Sequence, residues 1–228
     1  MENTVRLLST YAVKGAVARL AEPCMTATAT RIDAEFAPTF ALLKRLRAGE
    51  AADVVILTRE GLDEMLAEGR VAVSSAVNLA RSYVGIAVKA GASHPNIATE
   101  GALIKTLLAA RSVAYSKVGA SGIYFAQLIE RLGISEAINA RATLTSGFTA
   151  EKLVSGEADL AVQQISELKL VDGNEIVGPI PLTLQTAAVF SAGLMTASTR
   201  VELSDRLLKY LASPEVLGVL RESGLEQP

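Results

Sequence analysis

The chain has 228 residues, enough for one large domain or two lobes of about 100 residues each, and its 50% hydrophobic content can bury a core. Its 22 basic and 24 acidic residues give a net charge of −2 without a dense cluster of Lys and Arg, which argues against nucleic-acid binding. A single Cys and a single His exclude an internal disulfide and a multi-histidine metal site, and no cofactor is expected.

The first third of the chain alternates short β-rich runs with helical patterns, as in βαβ units around a parallel sheet. Strands are predicted at 5–9, 29–36 and 52–57, and helices at 13–21, 40–48 and 62–68. The run at 52–57 reads Ala-Asp-Val-Val-Ile-Leu and is nearly continuously apolar, which is typical of a buried parallel strand.

The same alternation continues through the rest of the chain. Strands are predicted at 83–88, 112–115, 141–144, 160–163 and 187–196, and helices at 101–110, 123–132, 150–154, 203–211 and 214–223. The runs Leu46-Arg-Ala-Gly-Glu-Ala-Ala-Asp-Val and Leu153-Val-Ser-Gly-Glu-Ala-Asp-Leu form a weak internal repeat. The repeat favours two similar lobes, although any loop from a helix to a strand tends to have this composition.

The start of the chain and its apolar stretches predict no insertion into a membrane. Met1-Glu-Asn-Thr leads into a predicted strand without a basic segment or a long apolar stretch. The longest apolar-leaning stretch, 179–199, is interrupted by Pro181 and Gln185 and is a poor bilayer span. We therefore expect a cytoplasmic protein from the sequence as written, or a periplasmic one if a signal peptide has been removed.

Four junctions between a strand and a helix carry small hydroxyl residues or glycine. They are Ser9-Thr10, Pro38-Thr39, the run from Ser116 through Gly119, Ala120 and Ser121 to Gly122, and the run from Thr145 to Thr149. A helix N-terminus presents unpaired N–H groups and a partial positive charge, so such a junction can hold an anion without a basic side chain. Ser and Thr are also the ordinary helix-capping residues, so one junction means little and the set of four favours anion binding.

Two further polar positions are candidates for ligand contact. Arg81 precedes a predicted strand and could fork onto a carboxylate, although most Arg side chains are solvated. Gln163 ends a predicted buried strand, where a polar side chain needs a hydrogen-bond partner or a ligand. His94 lies in a turn sequence and is expected to be exposed, and no Walker or Gly-x-Ser-x-Gly motif supports nucleotide binding or a serine nucleophile.

Several stretches, taken in order, carry a resemblance to a known family. They are 5–12, Ala37-Pro-Thr, 42–57, Asn78-Leu-Ala-Arg-Ser-Tyr-Val-Gly, Ala120-Ser-Gly-Ile-Tyr, the region from Val177-Gly-Pro-Ile-Pro to Phe190-Ser-Ala-Gly, and Leu211-Ala-Ser-Pro-Glu. They resemble the substrate-binding proteins of molybdate ABC transporters. The resemblance implies an α/β type II periplasmic-binding-protein fold, with two lobes of mostly parallel sheet flanked by helices, two hinge crossings near 83–88 and 187–193, and a ligand held between the lobes. The implied lobes are 1–82 plus 194–228, and 83–193.

The resemblance also implies positions for a bound anion. Ser9 and Thr39 match two hydroxyl positions of the first lobe, and Gly119 to Ser121 match a backbone N–H position of the second. Gln163-Gln164 stands where molybdate binders usually carry a tyrosine, and Arg81 is an addition. These departures favour a small carboxylate as an alternative to a molybdate-type oxyanion.

Three functional hypotheses are open at this point. The first is binding of a small anion, with an ABC permease as a partner if the chain is exported. The second follows from the similarity of the same branch to aconitate isomerase and implies a proton shift on a tricarboxylate, for which Tyr115, Lys117, Lys14 and Glu167 are candidate bases. The third is an intracellular ligand sensor without catalysis.

Overall fold

The computed structural model describes residues 3–228, which fold into two compact units. Unit 1 contains the chain up to Ser82 together with Ala188–Pro228, and unit 2 contains Tyr83–Ala187. The sequence analysis placed the return to the first lobe at residue 194. Residues 188–193 instead lie in a strand of unit 1, because they pair with two strands of that unit.

Strands and helices alternate along most of the chain. The strands are β1 (Thr4–Ser9), β2 (Arg31–Phe36), β3 (Val54–Thr58), β4 (Val77–Ser82), β5 (Val84–Lys89), β6 (Val113–Ser116), β7 (Thr143–Thr145), β8 (Leu160–Gln164), β9 (Asn174–Pro179) and β10 (Ala188–Leu194). The helices are α1 (Lys14–Thr28), α2 (Thr39–Arg47), α3 (Arg59–Ala67), α4 (Glu100–Ala109), α5 (Ala120–Arg131), α6 (Ser135–Asn139), α7 (Glu151–Val154), α8 (Ile165–Leu168), α9 (Val201–Leu211) and α10 (Leu217–Glu222). Short 3₁₀ helices lie at Tyr11–Val13, Val73–Ser75 and Pro214–Val216.

The sheet of unit 1 has the strand order β2-β1-β3-β10-β4. Strands β1, β2 and β3 are parallel, and β10 is antiparallel to both β3 and β4. Because parallel strands end at the same edge of a sheet, the helices that follow β1, β2 and β3 all begin at that edge. The starts of α1, α2 and α3 are thereby brought together.

The sheet of unit 2 repeats this plan with the order β7-β6-β8-β5-β9. Strands β6, β7 and β8 are parallel, and β5 is antiparallel to both β8 and β9. Helices α5, α7 and α8 follow the three parallel strands, so their starts share one edge. The predicted α/β class is confirmed, and each sheet is mixed because its fourth strand runs in the opposite direction.

Both sheets bury apolar side chains on two faces. In β1, the neighbours Leu7 and Leu8 point to opposite faces, as successive strand residues do. Leu7 packs in a cluster with Leu20 of α1 and Leu207 of α9, whereas Leu8 packs with Leu42 of α2. All five are almost completely buried, so truncation of any of them to Ala would cost about 2–5 kcal/mol.

Helix α1 continues past its predicted end at residue 21 and passes through Pro23. Proline removes one backbone hydrogen bond, but Leu20 and Cys24 lie one turn apart and are both buried on the same side of the helix. The helix ends where Ala29 takes a left-handed conformation with a φ of 54° and donates its N–H to the Met25 carbonyl. Burial therefore outweighs the local breaking effect of the proline.

Two strands and two short helices were not predicted from the sequence. Strand β4 reads Val-Asn-Leu-Ala-Arg-Ser, and β9 contains Gly178 and Pro179, so neither has a clear apolar pattern. Each is the edge strand of its sheet and pairs with one neighbour, β10 or β5. Helices α6 and α8 are too short to produce a periodic signal.

Candidate functional site

The predicted hydroxyl residues of unit 1 lie together at the edge where β1, β2 and β3 end. In the sheet register, Ser9 is level with Phe36 of β2 and Ile56 of β3. The Ala37 N–H donates to the Ser9 carbonyl at 3.1 Å, and the Thr10 N–H donates to the Ile56 carbonyl at 2.9 Å. We call Ser9, Thr10, Thr39 and Thr58 the unit 1 edge.

Thr39 and Thr58 connect the starts of α2 and α3. The Thr39 hydroxyl oxygen accepts a hydrogen bond from the Thr58 backbone N–H at 3.2 Å, and the Thr58 hydroxyl oxygen caps α3 by accepting from the Gly61 N–H at 3.3 Å. Within residues 3–228 the Thr39 hydroxyl proton has no acceptor, so it is available to donate to an anion. Sequence reasoning missed Thr58, although a Thr directly after a buried strand and before a helix is a capping signal.

Ser9 and Thr10 differ in how their hydroxyl groups are hydrogen-bonded within the protein. Ser9 is fully buried and its hydroxyl donates to the Thr10 carbonyl at 3.2 Å, so its proton is engaged inside the protein. Thr10 precedes the Tyr11–Val13 helix without a side-chain capping bond. Its hydroxyl has no hydrogen-bond partner in the described part of the chain. Thr10 is therefore the better donor of the two.

Arg81 has a partner that the sequence did not predict. Its guanidinium pairs with the Glu226 carboxylate at 3.1 Å, and the two backbones exchange hydrogen bonds of 2.9 and 2.8 Å. Arg81 lies on β4, which is three strands from β1 and hence about 14 Å away in the sheet. The Arg81 side chain is therefore paired with the C-terminal segment, and its contact with a ligand carboxylate stays a prediction.

The loop after β6 forms a similar donor arrangement in unit 2. The Ser116 hydroxyl oxygen accepts from the Gly119 N–H at 2.9 Å and from the Val118 N–H at 3.3 Å. Gly119 is the N-cap of α5, and the backbone N–H groups of Ala120 and Ser121 in its first turn have no acceptor in the described residues. The Ser116 hydroxyl proton also has no acceptor there. These donors point to the same kind of anion contact as in unit 1.

A glycine keeps this loop in place. A Cβ atom on Gly122 would lie 1.9 Å from the Ser116 carbonyl oxygen, so the first turn of α5 rests directly on the end of β6. Only glycine allows this approach. Gly122 is therefore required by packing, independently of any role in ligand binding.

Gln163 is engaged in internal hydrogen bonds in the structure. Its side-chain oxygen accepts from the Thr149 N–H at 2.7 Å and from the Thr149 hydroxyl at 2.9 Å. The Gln163 amide and the Gln164 backbone N–H both lower the pKa of the Glu167 carboxyl group, so Gln163 interacts with Thr149 and also influences Glu167. Contact between Gln163 and a ligand stays a prediction.

Glu167 is a buried carboxyl group on α8. Burial raises its pKa to about 7, although the Gln163 amide and the Gln164 N–H act in the opposite direction. Close to it in the sequence, the Ser166 hydroxyl and the Gln164 side-chain oxygen are buried and have no hydrogen-bond partner among residues 3–228. We call Ser116, Gly119, Ala120, Ser121, Gln163 and Glu167 the unit 2 edge.

The other candidate bases are placed differently. The Tyr115 hydroxyl donates to the Asn139 side chain at 2.5 Å, and burial raises the pKa of Tyr115, away from neutrality. The Lys14 ammonium lies 5.9 Å from the centre of the Phe36 ring. Lys117 is exposed. Glu167, with a pKa of about 7, can exchange a proton near neutral pH.

His94 and Cys24 are outside both edges. His94 lies in an exposed loop and contacts the Glu175 carboxylate at 3.0 Å. Cys24 is buried in α1, where burial raises the pKa of its thiol. In residues 3–228 no helix is both long enough and apolar enough to span a bilayer.

Comparison with known proteins adds a family and several relatives. Residues 5–226 match the family described as bacterial extracellular solute-binding protein. An aconitate isomerase from Pseudomonas sp. is 35% identical over 230 residues, which cover 98% of this chain and 87% of that protein. The expectation of a branch similar to aconitate isomerase is thereby confirmed.

Solved structures of low sequence identity share the fold. The periplasmic molybdate-binding protein of Azotobacter vinelandii superposes with a TM-score of 0.83 at 15% identity, covering 98% of this chain and 99% of that one. The sulfate-binding protein SubI of Mycobacterium tuberculosis superposes with a TM-score of 0.77 at 11% identity. The superposition covers 99% of this chain and 87% of SubI. These structures confirm the periplasmic-binding-protein fold.

Proposed function

Because this chain belongs to the bacterial extracellular solute-binding protein family, we propose that it binds a small anion, either a carboxylate or a molybdate-type oxyanion. The observation that carries the proposal is the hydrogen bonding of two hydroxyl groups. Thr39 and Ser116 each accept a backbone N–H and keep a hydroxyl proton to donate. Both lie where a helix begins after a parallel strand, where the partial positive charge of the helix also favours an anion.

The name of a relative favours a carboxylate over an oxyanion. Hydroxyl and backbone N–H groups are neutral, so they can bind an anion of either class without the cost of desolvating a cationic side chain. The 35% identical relative is named for aconitate, a tricarboxylate, which agrees with this preference.

A binding experiment tests the proposal. Isothermal titration and thermal shift would use molybdate, tungstate, sulfate, phosphate, citrate and both aconitates. A ligand at about 100 times its dissociation constant stabilises the protein by about 2.7 kcal/mol and raises its melting temperature by several degrees. Absence of any stabilisation or heat by all seven anions would contradict the proposal.

One substitution in each unit tests whether the hydroxyl group at that edge donates to the anion. Thr39→Val and Ser116→Ala remove a hydroxyl group, and we expect each to weaken anion binding about five- to thirtyfold, or about 1–2 kcal/mol. Thr26→Val is the matched control, because the Thr26 hydroxyl is exposed and bonded to the Glu22 carbonyl of α1. If both test variants bind as tightly as this control, the donors are assigned wrongly.

Glu167 supports a second candidate function, isomerisation of an unsaturated tricarboxylate. The Glu167 carboxylate would take a proton from the carbon next to a substrate carboxylate, the double bond would shift by one position, and the proton would return to the far carbon of the allylic system. Neutral donors such as the Ser116 hydroxyl would stabilise the charge that develops on the substrate oxygens.

Turnover distinguishes the two candidates. Incubation with cis- or trans-aconitate in D₂O, followed by proton NMR, would show interconversion and deuterium incorporation if the protein is an isomerase. Glu167→Gln should then reduce turnover at least a hundredfold, whereas Glu151→Gln, an exposed carboxylate of α7, should leave it unchanged. Tight binding without exchange would leave the solute-binding role, in which the partner would be a membrane-embedded ABC permease if the protein is exported.

A further inference from the structure

A cavity of about 630 Å³ lies in unit 2, apart from the unit 2 edge. It is next to the residues that precede β6 and β8 and to the end of the antiparallel strand β5. Val88, Ala110, Leu153 and Leu160 form its apolar floor, and each is at least nine-tenths buried. The volume is in the range of small-molecule sites.

The cavity is at the opposite end of the strands from the residues proposed above to bind the anion. Leu160 lines it at the start of β8, whereas Gln163 lies three residues further along the strand, about 10 Å away. Arg111 and Asp159 line it immediately before β6 and β8. A ligand here would occupy a second site within unit 2.

The rim of the cavity has an excess of positive charge. Lys89, Lys105 and Arg111 line it, and Asp159 is the one carboxylate among the lining residues. Asp159 is already engaged, because it accepts from the Arg111 N–H at 2.8 Å and from the Arg111 guanidinium at 2.9 Å. The pair therefore leaves the charges of the two lysines uncompensated.

Both lysine ammonium groups have protons that can be donated to a ligand. The Lys89 ammonium donates to the Val154 carbonyl at 3.2 Å, which leaves its other protons available. Lys105 has no hydrogen bond or ion pair within the part of the chain that the structure describes, and both side chains are exposed. An apolar floor below two such ammonium groups matches a molecule with an apolar body and one anionic group.

We propose that this cavity binds an organic anion with an apolar body, such as an aryl or branched aliphatic carboxylate. The apolar part lies on the floor of Val88, Leu153 and Leu160, and the carboxylate accepts hydrogen bonds from Lys89 and Lys105. The site is independent of the polar edges, so it stands whether or not the proposed anion-binding function is correct.

Three matched probes test the proposal by NMR titration of the ¹⁵N-labelled full chain. The probes are 4-phenylbutyrate, butyrate, which lacks the ring, and 4-phenylbutylamine, which reverses the charge. We expect 4-phenylbutyrate to give saturable shifts of amides in α4 and at the end of β5, with a dissociation constant at least tenfold lower than that of either analogue. Shifts confined to 116–121, equal binding of the amine, or no saturation up to about 20 mM would overturn the proposal.

Variants of exposed residues confirm the position without disturbing the core. Lys89→Glu/Lys105→Glu and Ala109→Trp, which fills the cavity, should each weaken 4-phenylbutyrate binding at least tenfold. Lys44→Glu/Lys209→Glu in unit 1 is the control with the same change in net charge, and its affinity should equal that of the unmodified chain. Equal affinities of the lysine variant and the control would refute the assignment.

Discussion

Units 1 and 2 are built on the same strand order, and they place hydroxyl donors in the same way. In each, a hydroxyl at a strand–helix junction accepts a backbone N–H, as Thr39 and Ser116 do. The units differ in what else the edge contains. The unit 1 edge consists of neutral hydroxyl residues, whereas the unit 2 edge adds Glu167, a buried carboxyl group with a pKa of about 7.

This difference shows that one fold plan can supply two kinds of chemistry. Neutral donors at the ends of parallel strands bind an anion with little dependence on pH. A buried carboxyl group that exchanges a proton near neutrality adds pH dependence and, with a suitable substrate, proton transfer.

The third residue of a helix after a parallel strand is glycine in both units, and the two glycines should respond differently to substitution. In Gly122→Ala, the new Cβ would lie 1.9 Å from a backbone oxygen, and we expect a loss of more than about 3 kcal/mol in the free energy of unfolding. In Gly61→Ala the new Cβ would lie 2.5 Å from the Thr39 methyl group. Because a side chain can shift more easily than the backbone, we expect a smaller loss of about 1–3 kcal/mol in the free energy of unfolding.

Urea denaturation measures both effects. Gly101→Ala is the control, because no atom lies within 4 Å of its added Cβ and the residue is in α4. We expect that substitution to be neutral or stabilising by up to about 1 kcal/mol. A loss for Gly122→Ala no larger than that for Gly61→Ala would show that α5 does not rest on β6 as described.

Glu167 should make stability depend on pH through unit 2. Its folded pKa of about 7 is raised from the ordinary value of 4.5, so below pH 4.5 both folded and unfolded chains are protonated and no penalty exists. As pH rises from 4.5 to 7, the unfolded state loses its proton first and the folded state becomes relatively less stable. The total loss is about 3 kcal/mol, and it levels off above pH 7.

Comparison of Glu167→Gln with the unmodified chain isolates this contribution. The variant cannot titrate, so its free energy of unfolding should gain about 3 kcal/mol relative to the unmodified chain between pH 4.5 and pH 7.5. The measurement is a series of urea denaturations across that range. Parallel stability curves for the two proteins would mean that Glu167 has an ordinary pKa.

The hydroxyl groups of Ser9 and Thr10 should contribute unequally to anion binding. Thr10→Val should weaken binding by about 1 kcal/mol, because it removes a hydroxyl that has no hydrogen-bond partner among residues 3–228. Ser9→Ala should change affinity by less than about twofold, because the Ser9 hydroxyl is buried and donates to the Thr10 carbonyl. Calorimetric titration with the tightest-binding anion of the panel measures both affinities. A larger loss of affinity for Ser9→Ala than for Thr10→Val would show that Ser9 is the more important donor.

Among these substitutions, Arg81→Ala should have the smallest effect on stability and on anion binding. Its ion pair with Glu226 is about half exposed, so Arg81→Ala should change the free energy of unfolding by no more than about 0.5 kcal/mol. The same variant should bind carboxylates and molybdate with unchanged affinity. A selective loss of carboxylate binding would restore the role that the sequence suggested, as a fork for a ligand carboxylate.

Elements that depend on local patterns can be predicted from the amino-acid order alone. The apolar run at 52–57 predicted β3, and hydroxyl residues before helical patterns predicted the junctions at Thr10, Thr39 and Ser116. Helix capping and side-chain periodicity are properties of a few neighbouring residues, so they can be recognised without a structure. The same signal would have found Thr58.

Tertiary structure decided everything that depends on a distant partner. Arg81 meets Glu226 because β4 lies beside the C-terminal segment, and β4 itself is a strand because β10 pairs with it. Gln163 accepts hydrogen bonds from Thr149, and the pKa of Glu167 is raised because the fold removes water from around it. Pairing and desolvation arise from residues brought together by folding, and no local pattern in the chain encodes them.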